Sequence, residues 1–382
     1  MIPIISPRAT FEELREETEA AVLRVLASGD YILGEETRAF EEESARYLGV
    51  AHSIGVSSGT EALLVALQEL KVGPGDEVIA PCFTFIATAT VVMRMGAKPV
   101  FADIDPATFQ MDVACLEEAV TPRTRAIIPV HLYGHPAPLG KYARIAGSQK
   151  EPIPIVEDAA QAIGVDLNVG GRRLKAGAAG TWGCFSFYPT KNLPACGEAG
   201  LMVTNDAGRA ERARQLRAHG QDAPYRHRLL GGNARLDAIQ SAVLRVRLRR
   251  LEEWNDRRRA SAAAYSRLLA ESGLVGQGDV RLPPEPGPGE TSNWHQYTIR
   301  AARRDGLKAH LLARGIHTGV YYPIPLHLQP VFAVLGHRKG DYPEAEKAAT
   351  EVLSLPVHQH IGADDVEQVV SAITDFYKPQ GM

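Results

Sequence analysis

The apolar positions of this chain follow two alternating spacings. Leu14, Ala21, Val22 and Val25 fall near helical spacing and predict a helix over residues 10–28, stopped by Gly29. A second helix is predicted over 36–48, ended by Gly49. Residues 60–70 (TEALLVALQEL) are apolar nearly all round and predict a buried helix. Short apolar runs bounded by turns predict buried strands over 77–80, 98–104, 125–131, 153–156 and 199–205. The run at 153–156 leads into Glu157-Asp158 and then a helix-forming Ala-Ala-Gln-Ala. Residues 167–180 read as a glycine-rich hairpin. Residues 234–251 read as a helix with Leu236, Ile239, Val243 and Val246 on one stripe and Asn233 as its N-cap.

Residues 283–290 (PPEPGPGE) read as a link. Beyond it, strands are predicted over 296–300 and 318–322, and helices over 307–314 and 366–376. The last helix carries Val366, Val369, Val370 and Ile373 at i, i+3, i+4 and i+7. Alternating strands and helices predict an α/β protein. A large, mostly parallel sheet domain with flanking helices is expected over 1–250, and a smaller C-terminal α/β domain over 251–382. A chain of 382 residues suits that division.

Composition narrows the function. Hydrophobic residues are 45% and charged residues 23%, and the net charge of -3 gives no electrostatic case for nucleic acid or anionic lipid. Arg245, Arg247, Arg249 and Arg250 are read as a solvated helix face. Cys82, Cys115, Cys184 and Cys196 lack metal spacing and sit in apolar or small-residue contexts. Buried thiols in a reducing cytosol, and no metal site, are therefore expected. The opening MIPIISPRATFEEL is too soon broken by proline and charge for a signal peptide, and no apolar run reaches transmembrane length.

The chemistry centres on residues 180–200 (GTWGCFSFYPTKNLPACGEAG). An aromatic strand turns at Pro189 and presents one lysine, Lys191. A lysine in poor solvent loses ammonium stability and becomes a usable nucleophile. Alone, Lys191 would pass for an ordinary loop lysine. Asp158, at the carboxyl end of a parallel strand, changes that, because such ends face the crevice where open α/β sheets bind ligands. A Schiff-base lysine and a carboxylate that keeps a ring nitrogen protonated are what pyridoxal 5'-phosphate (PLP) requires. Ser58-Gly59-Thr60 opening a buried helix offers free amides and a positive dipole end for a phosphate, beside the plainer reading of an N-cap.

The segments SSGTEALLVAL, TFIAT, VEDAAQA, SFYPTKNL and GGNARLDAIQSAVL, in this order, resemble the DegT/DnrJ/EryC1/StrS family of PLP-dependent nucleotide-sugar aminotransferases. The resemblance runs from about residue 10 to about 378 and implies PLP-transferase fold type I. It implies that Lys191 and Asp158 are catalytic. It implies a phosphate cradle of Gly59, Thr60 and Ser186, ring stacking by Phe85, and a bond from Gln161, one helical turn past Asp158, to the ring hydroxyl. Asn233 would reach the phosphate of the neighbouring subunit, giving a homodimer with shared active sites. Tyr31, Tyr188, Arg228, Tyr321 and His327 are the substrate candidates, with a surface position as the alternative for His327. His131 is read as structural. His135 and Pro194 depart from common family residues.

The implied reaction moves an amino group from an amino-acid donor, glutamate, to a nucleotide-linked keto sugar. SFYPTKNL, GEAG and NARLD resemble the members aminating C3 more than those aminating C4. A uronate carboxylate would need an arginine, for which Arg226 and Arg228 are the candidates. Other readings are a 4-keto sugar, a cyclitol or an aminohydroxybenzoate precursor as substrate, or a PLP-binding regulator without turnover.

Overall fold

The computed structural model describes residues 1–378. Its main sheet is built from two sets of strands. Four run in the order His52–Val56, Gly200–Thr204, Trp182–Ser186, Val156–Asp158, and three in the order Lys98–Ala102, Glu77–Pro81, Thr124–Ile127. Parallel bridges from Ile127 to Ile155 and from Val130 to Asp158 join the sets into one sheet. Only Gly200–Thr204 runs antiparallel to its neighbours; every other pairing is parallel. Parallel strands bury both faces, which is why these segments read as nearly continuous apolar runs. Trp182, Phe185, Ile79 and Met202 are all fully buried in it.

The C-terminal part carries a three-stranded antiparallel sheet, Val280–Arg281, Tyr297–Ala301, Val352–Leu355. Helices Leu251–Glu271 and Ala363–Tyr377 pack together beside it. Val366, Val369, Val370 and Ile373 are buried as the spacing predicts, each contributing about 2 kcal/mol by leaving water. Ile2 belongs to this core, not to the N-terminal one. Its backbone pairs with residues 315–317, through Ile2 N to Gly315 O at 2.8 Å and His317 N to Ile2 O at 3.0 Å. Leu251 and Trp254, just past the expected boundary, pack with the N-terminal clusters.

Several expectations are corrected. The first helix is broken at buried Leu14 into Pro7–Glu13 and Arg15–Ser28. Residues 159–162 form turns, not a helix. The Ala159 amide donates to Cys184 O at 2.8 Å and the Ala160 amide to Asp158 Oδ1 at 3.2 Å, and the chain then closes single turns, Ala162 N to Ala159 O at 2.9 Å and Val165 N to Ala162 O at 3.1 Å. Residues 318–322 make one bridge, Gly319 to Ser354, rather than a strand; Val352–Leu355 fills that place in the sheet. The helix expected from 234 begins at Ala238, capped by Asp237, whose Oδ1 accepts from the Gln240 amide at 2.8 Å. Asn233 and Arg235 are held extended by bridges to Ala218 and Val56. Arg247 is buried, donating to Pro194 O at 2.7 Å, while Arg245 pairs with Glu36 and Glu43. Cys196 is exposed and Cys115 half-buried.

Candidate functional site

Strand ends and one helix start converge on a cavity of about 540 Å³. Gly59, Thr60, Phe85, Asp158, Gln161, Ser186, Tyr188, Lys191 and Tyr321 all line it. The helix Gly59–Glu69 aims its N-terminus there, with Ser58 Oγ accepting from the Glu61 amide at 3.1 Å. That cap leaves the first amides of the helix free for an anion. Gly59 is required by space: a Cβ there would lie 2.7 Å from the Ser186 Cβ. The helix therefore approaches the lysine strand closely enough for Ser186 to share the same corner.

Lys191 follows the strand Trp182–Ser186 in a loop whose apolar anchors, Leu193 and Ala195, are buried. It lines the cavity, yet protein surrounds its ammonium group, and that desolvation lowers its pKa to about 8, against the opposing charge of Asp158. Among the described residues its Nζ has no hydrogen-bond partner. Asp158 is buried, and desolvation raises its pKa; Thr88 Oγ1, donating to Oδ2 at 2.8 Å, and the Ala160 amide oppose the shift. Such a pair can supply an amine reactive near neutral pH and a fixed negative charge in a site shielded from bulk water.

Gln161 reaches the cavity from the turn after Asp158. The Tyr133 amide donates to its Oε1 at 2.6 Å and its Nε2 donates to Tyr322 Oη at 3.3 Å. Tyr133 is held at positive φ beside Gly134, where φ is +85° and a Cβ would strike Asn293 Oδ1 at 1.9 Å. Only glycine fits there. Phe85 is 54% exposed, with its ring on the cavity rather than in the core. An apolar ring so placed is suited to stack on a planar ligand.

Five candidates lie outside the cavity. His327 is buried, its Nε2 3.0 Å from Glu346 Oε1, so it is neither a surface residue nor a cavity contact. Tyr31 donates to Leu26 O at 3.2 Å on an exposed loop. Asn233 is exposed, with Oδ1 accepting from Arg235 Nε at 3.1 Å. Arg228 and Arg226 both pair with Asp222 on the exposed hairpin Gln221–Ala223 to Arg226–His227. Near it Tyr225 and Leu230 are 96% and 94% exposed.

Other lining residues went unread in the sequence: Ile4, Ile5, Thr84, His295, Gln296 and Tyr322. Thr84 opens the segment TFIAT and Tyr322 follows the candidate Tyr321, so both could have been found by position. His295 and Gln296 carry no such signal. Among the described residues no helix is long and apolar enough to cross a membrane.

The fold and this lysine–carboxylate site define a PLP-dependent aminotransferase. The pattern of the DegT/DnrJ/EryC1/StrS aminotransferase family matches residues 12–374, and the chain belongs to that family. Three relatives span nearly all of it. The "Pleiotropic regulatory protein" of Geobacillus stearothermophilus is 46% identical, covering 99% of both chains. The dTDP-3-amino-3,4,6-trideoxy-alpha-D-glucose transaminase of Streptomyces venezuelae is 45% identical, covering 98% of this chain and 96% of the relative. The UDP-N-acetyl-3-dehydro-alpha-D-glucosamine 3-aminotransferase of Acidithiobacillus ferrooxidans is 44% identical, covering 97% of each. The crystal structure of S. venezuelae DesV superposes with a TM-score of 0.93 at 44% identity, covering 100% of this chain and 99% of that one.

Proposed function

We propose that the enzyme transfers an amino group from an amino acid, glutamate, to the C3 keto group of a nucleotide-linked sugar. The observation that carries the aminotransferase half is Lys191, with its lowered pKa, sharing one cavity with the buried Asp158. The choice of C3 is supported by the two transaminase relatives, whose names specify 3-amino and 3-dehydro sugars on different nucleotides.

The residues present fit the cofactor. Gly59 and Thr60 amides with the Ser186 hydroxyl form an anion corner that a larger residue at 59 would fill. Bound PLP supplies an electron sink for the carbanion formed at the amino-bearing carbon. Nζ of Lys191 would hold the cofactor's aldehyde and, when free, would be the group that carries a proton at the reacting carbon. Asp158, steadied by Thr88, would keep the ring nitrogen protonated. Gln161, with Oε1 fixed by Tyr133, would offer Nε2 to the ring hydroxyl, and Phe85 would cover the ring face. Tyr188 and Tyr321 meet the substrate.

The working unit is a homodimer with shared sites, and the chain divides into domains near residue 250. Asn233 contributes to the partner's cavity. The exposure of Tyr225 and Leu230, 96% and 94%, supports a subunit contact on this side, because it leaves two large apolar side chains in solvent. The G. stearothermophilus relative gives a regulatory reading some weight; intact Lys191, Asp158 and Gln161 favour turnover.

The test loads the enzyme with pyridoxamine phosphate and offers nucleotide-linked 3-keto and 4-keto sugars separately. Return of the pyridoxal absorption with the 3-keto sugar alone is expected. Return with the 4-keto sugar alone would overturn the position, and no return with either would favour the regulator.

A further inference from the structure

Two hydroxyls stand in line behind the carboxylate of Asp158. The backbone of Asp158 is pinned on both sides, its amide donating to Pro129 O at 2.9 Å and its carbonyl accepting from the His131 amide at 3.1 Å. Thr88 Oγ1 donates to Asp158 Oδ2 at 2.8 Å and lies 3.2 Å from Thr84 Oγ1. The Thr88 amide donates to Phe85 O at 3.2 Å, closing the turn that sets the two threonines together at the start of the helix Ala87–Arg94. Thr84 lines the cavity. Thr88 is fully buried, so water does not compete for its hydroxyl.

The direction of the hydrogens follows from counting. A hydroxyl carries one hydrogen. Thr88 spends its own on Asp158, so the hydrogen between the two threonines is Thr84's. Both hydroxyls then point toward the carboxylate, and each polarises the next. This order favours an ionised Asp158, because a charged acceptor makes the bond from Thr88 about twice as strong. Burial acts the other way and raises the pKa of Asp158. Lys191, His131, Cys184 and Tyr322 are the titratable side chains that face it. Among the described residues, only Thr88 and the Ala160 amide donate to its carboxylate.

We propose that Thr84 and Thr88 are positioning residues, a two-hydroxyl relay that keeps the buried Asp158 charged and so leaves the proton it shares with a bound ring on the ring nitrogen. A more basic Asp158 would take that proton back, and the ring would lose its pull on electrons. The relay rests on the reading of Asp158 as the partner of the ring nitrogen.

Two measurements on the full chain test it. In the cofactor-free protein with ¹³C-labelled aspartate carboxyls, NMR reads the half-titration pH of Asp158, and Asp158→Asn identifies its signal. Thr88→Val keeps the volume and removes the donor, and should raise that pH by about 1. Thr88→Ser, which returns the hydroxyl, should bring most of it back. Thr84→Val, which leaves Thr88 its own hydrogen, should raise it by less. A value unmoved by Thr88→Val would overturn the relay, and one unmoved by Thr84→Val would overturn its second member. Separately, the enzyme is loaded with pyridoxal phosphate labelled with ¹⁵N in the ring. The wild type should show a protonated ring nitrogen, and Thr88→Val should move the signal toward that of the neutral ring. The same variant should lower kcat about tenfold with KM within about twofold, and Thr88→Ser should recover both the signal and the rate. A ring signal that Thr88→Val leaves in place would overturn the relay's hold on the proton. A neutral ring in the wild type would overturn the reading of Asp158, while the carboxyl titration still reported the relay.

Discussion

Glu157 and Asp158 are neighbours on one strand, both buried, and they do opposite things. Alternation along the strand sends their side chains to opposite faces. Glu157 faces a closed knot. Its Oε1 accepts from the Ala179 and Gly180 amides at 2.8 and 2.5 Å, and its Oε2 accepts from the Gly177 amide at 2.8 Å. His131 Nε2 completes the set at 3.0 Å, with Nδ1 accepting from the Ala137 amide, so the proton lies toward the carboxylate. Four donors saturate a carboxylate. Asp158 has two donors and a cavity in front of it. Burial alone does not mark a reactive acid; a buried acid left short of donors, opposite a desolvated lysine, does.

The comparison can be broken by mutation, starting from its reactive side. Lys191→Ala should leave no measurable amino transfer while the fold persists. Retained transfer would remove Lys191 from the chemistry. Asp158→Ala should keep some cofactor and lose rate by about a hundredfold or more, with little change in unfolding free energy. Glu157→Ala should do the reverse. It strands His131 and three amides, so denaturant unfolding should report a loss of about 3 kcal/mol while the folded fraction keeps its kcat. A Glu157 variant that loses kcat at full stability would erase the distinction. Phe85→Ala should weaken cofactor binding by about 1 kcal/mol, near fivefold in Kd, by titration of the cofactor-free enzyme.

A smaller effect sharpens the same point through pH. The folded pKa of Lys191, about 8, lies below its unfolded value of 10.5. The unfolded chain therefore holds the extra proton between those values, and stability rises with pH across that window. Without cofactor, Lys191→Met should be more stable than the wild type at pH 7 and lose that advantage toward pH 10. An advantage that does not shrink would place the cost in packing rather than in charge.

Much of this was legible because strand and helix periods are strong local signals. The runs ending at Asp158 and Ser186 place their residues correctly, since burial on both faces leaves no other pattern. Gln161 reached the cavity as the resemblance implies, although no helix carries it there. What could not be read depended on contacts between distant residues. Asn233 satisfies the local rule for an N-cap, but pairing with Ala218 keeps it extended and passes the cap to Asp237. Arg247 lies in a basic run, and only the loop at Pro194 explains its burial. His327 looked like a surface or substrate histidine because its partner, Glu346, is nineteen residues away. His295 was silent because its ring nitrogen meets Asn192, 103 residues away in the chain.

The pairing of Ile2 with Ile316 has a consequence for how the molecule is made. Ile4 and Ile5 wall the cavity, but the backbone that anchors them is among the last to leave the ribosome. Residues 2–5 must wait, unpaired and apolar, until residues 315–317 have been made. Closing so long a loop is a late event. Nascent chains stalled before residue 315 should therefore hold the lysine strand in place with one wall of the pocket still open, and the cofactor should be retained only after release.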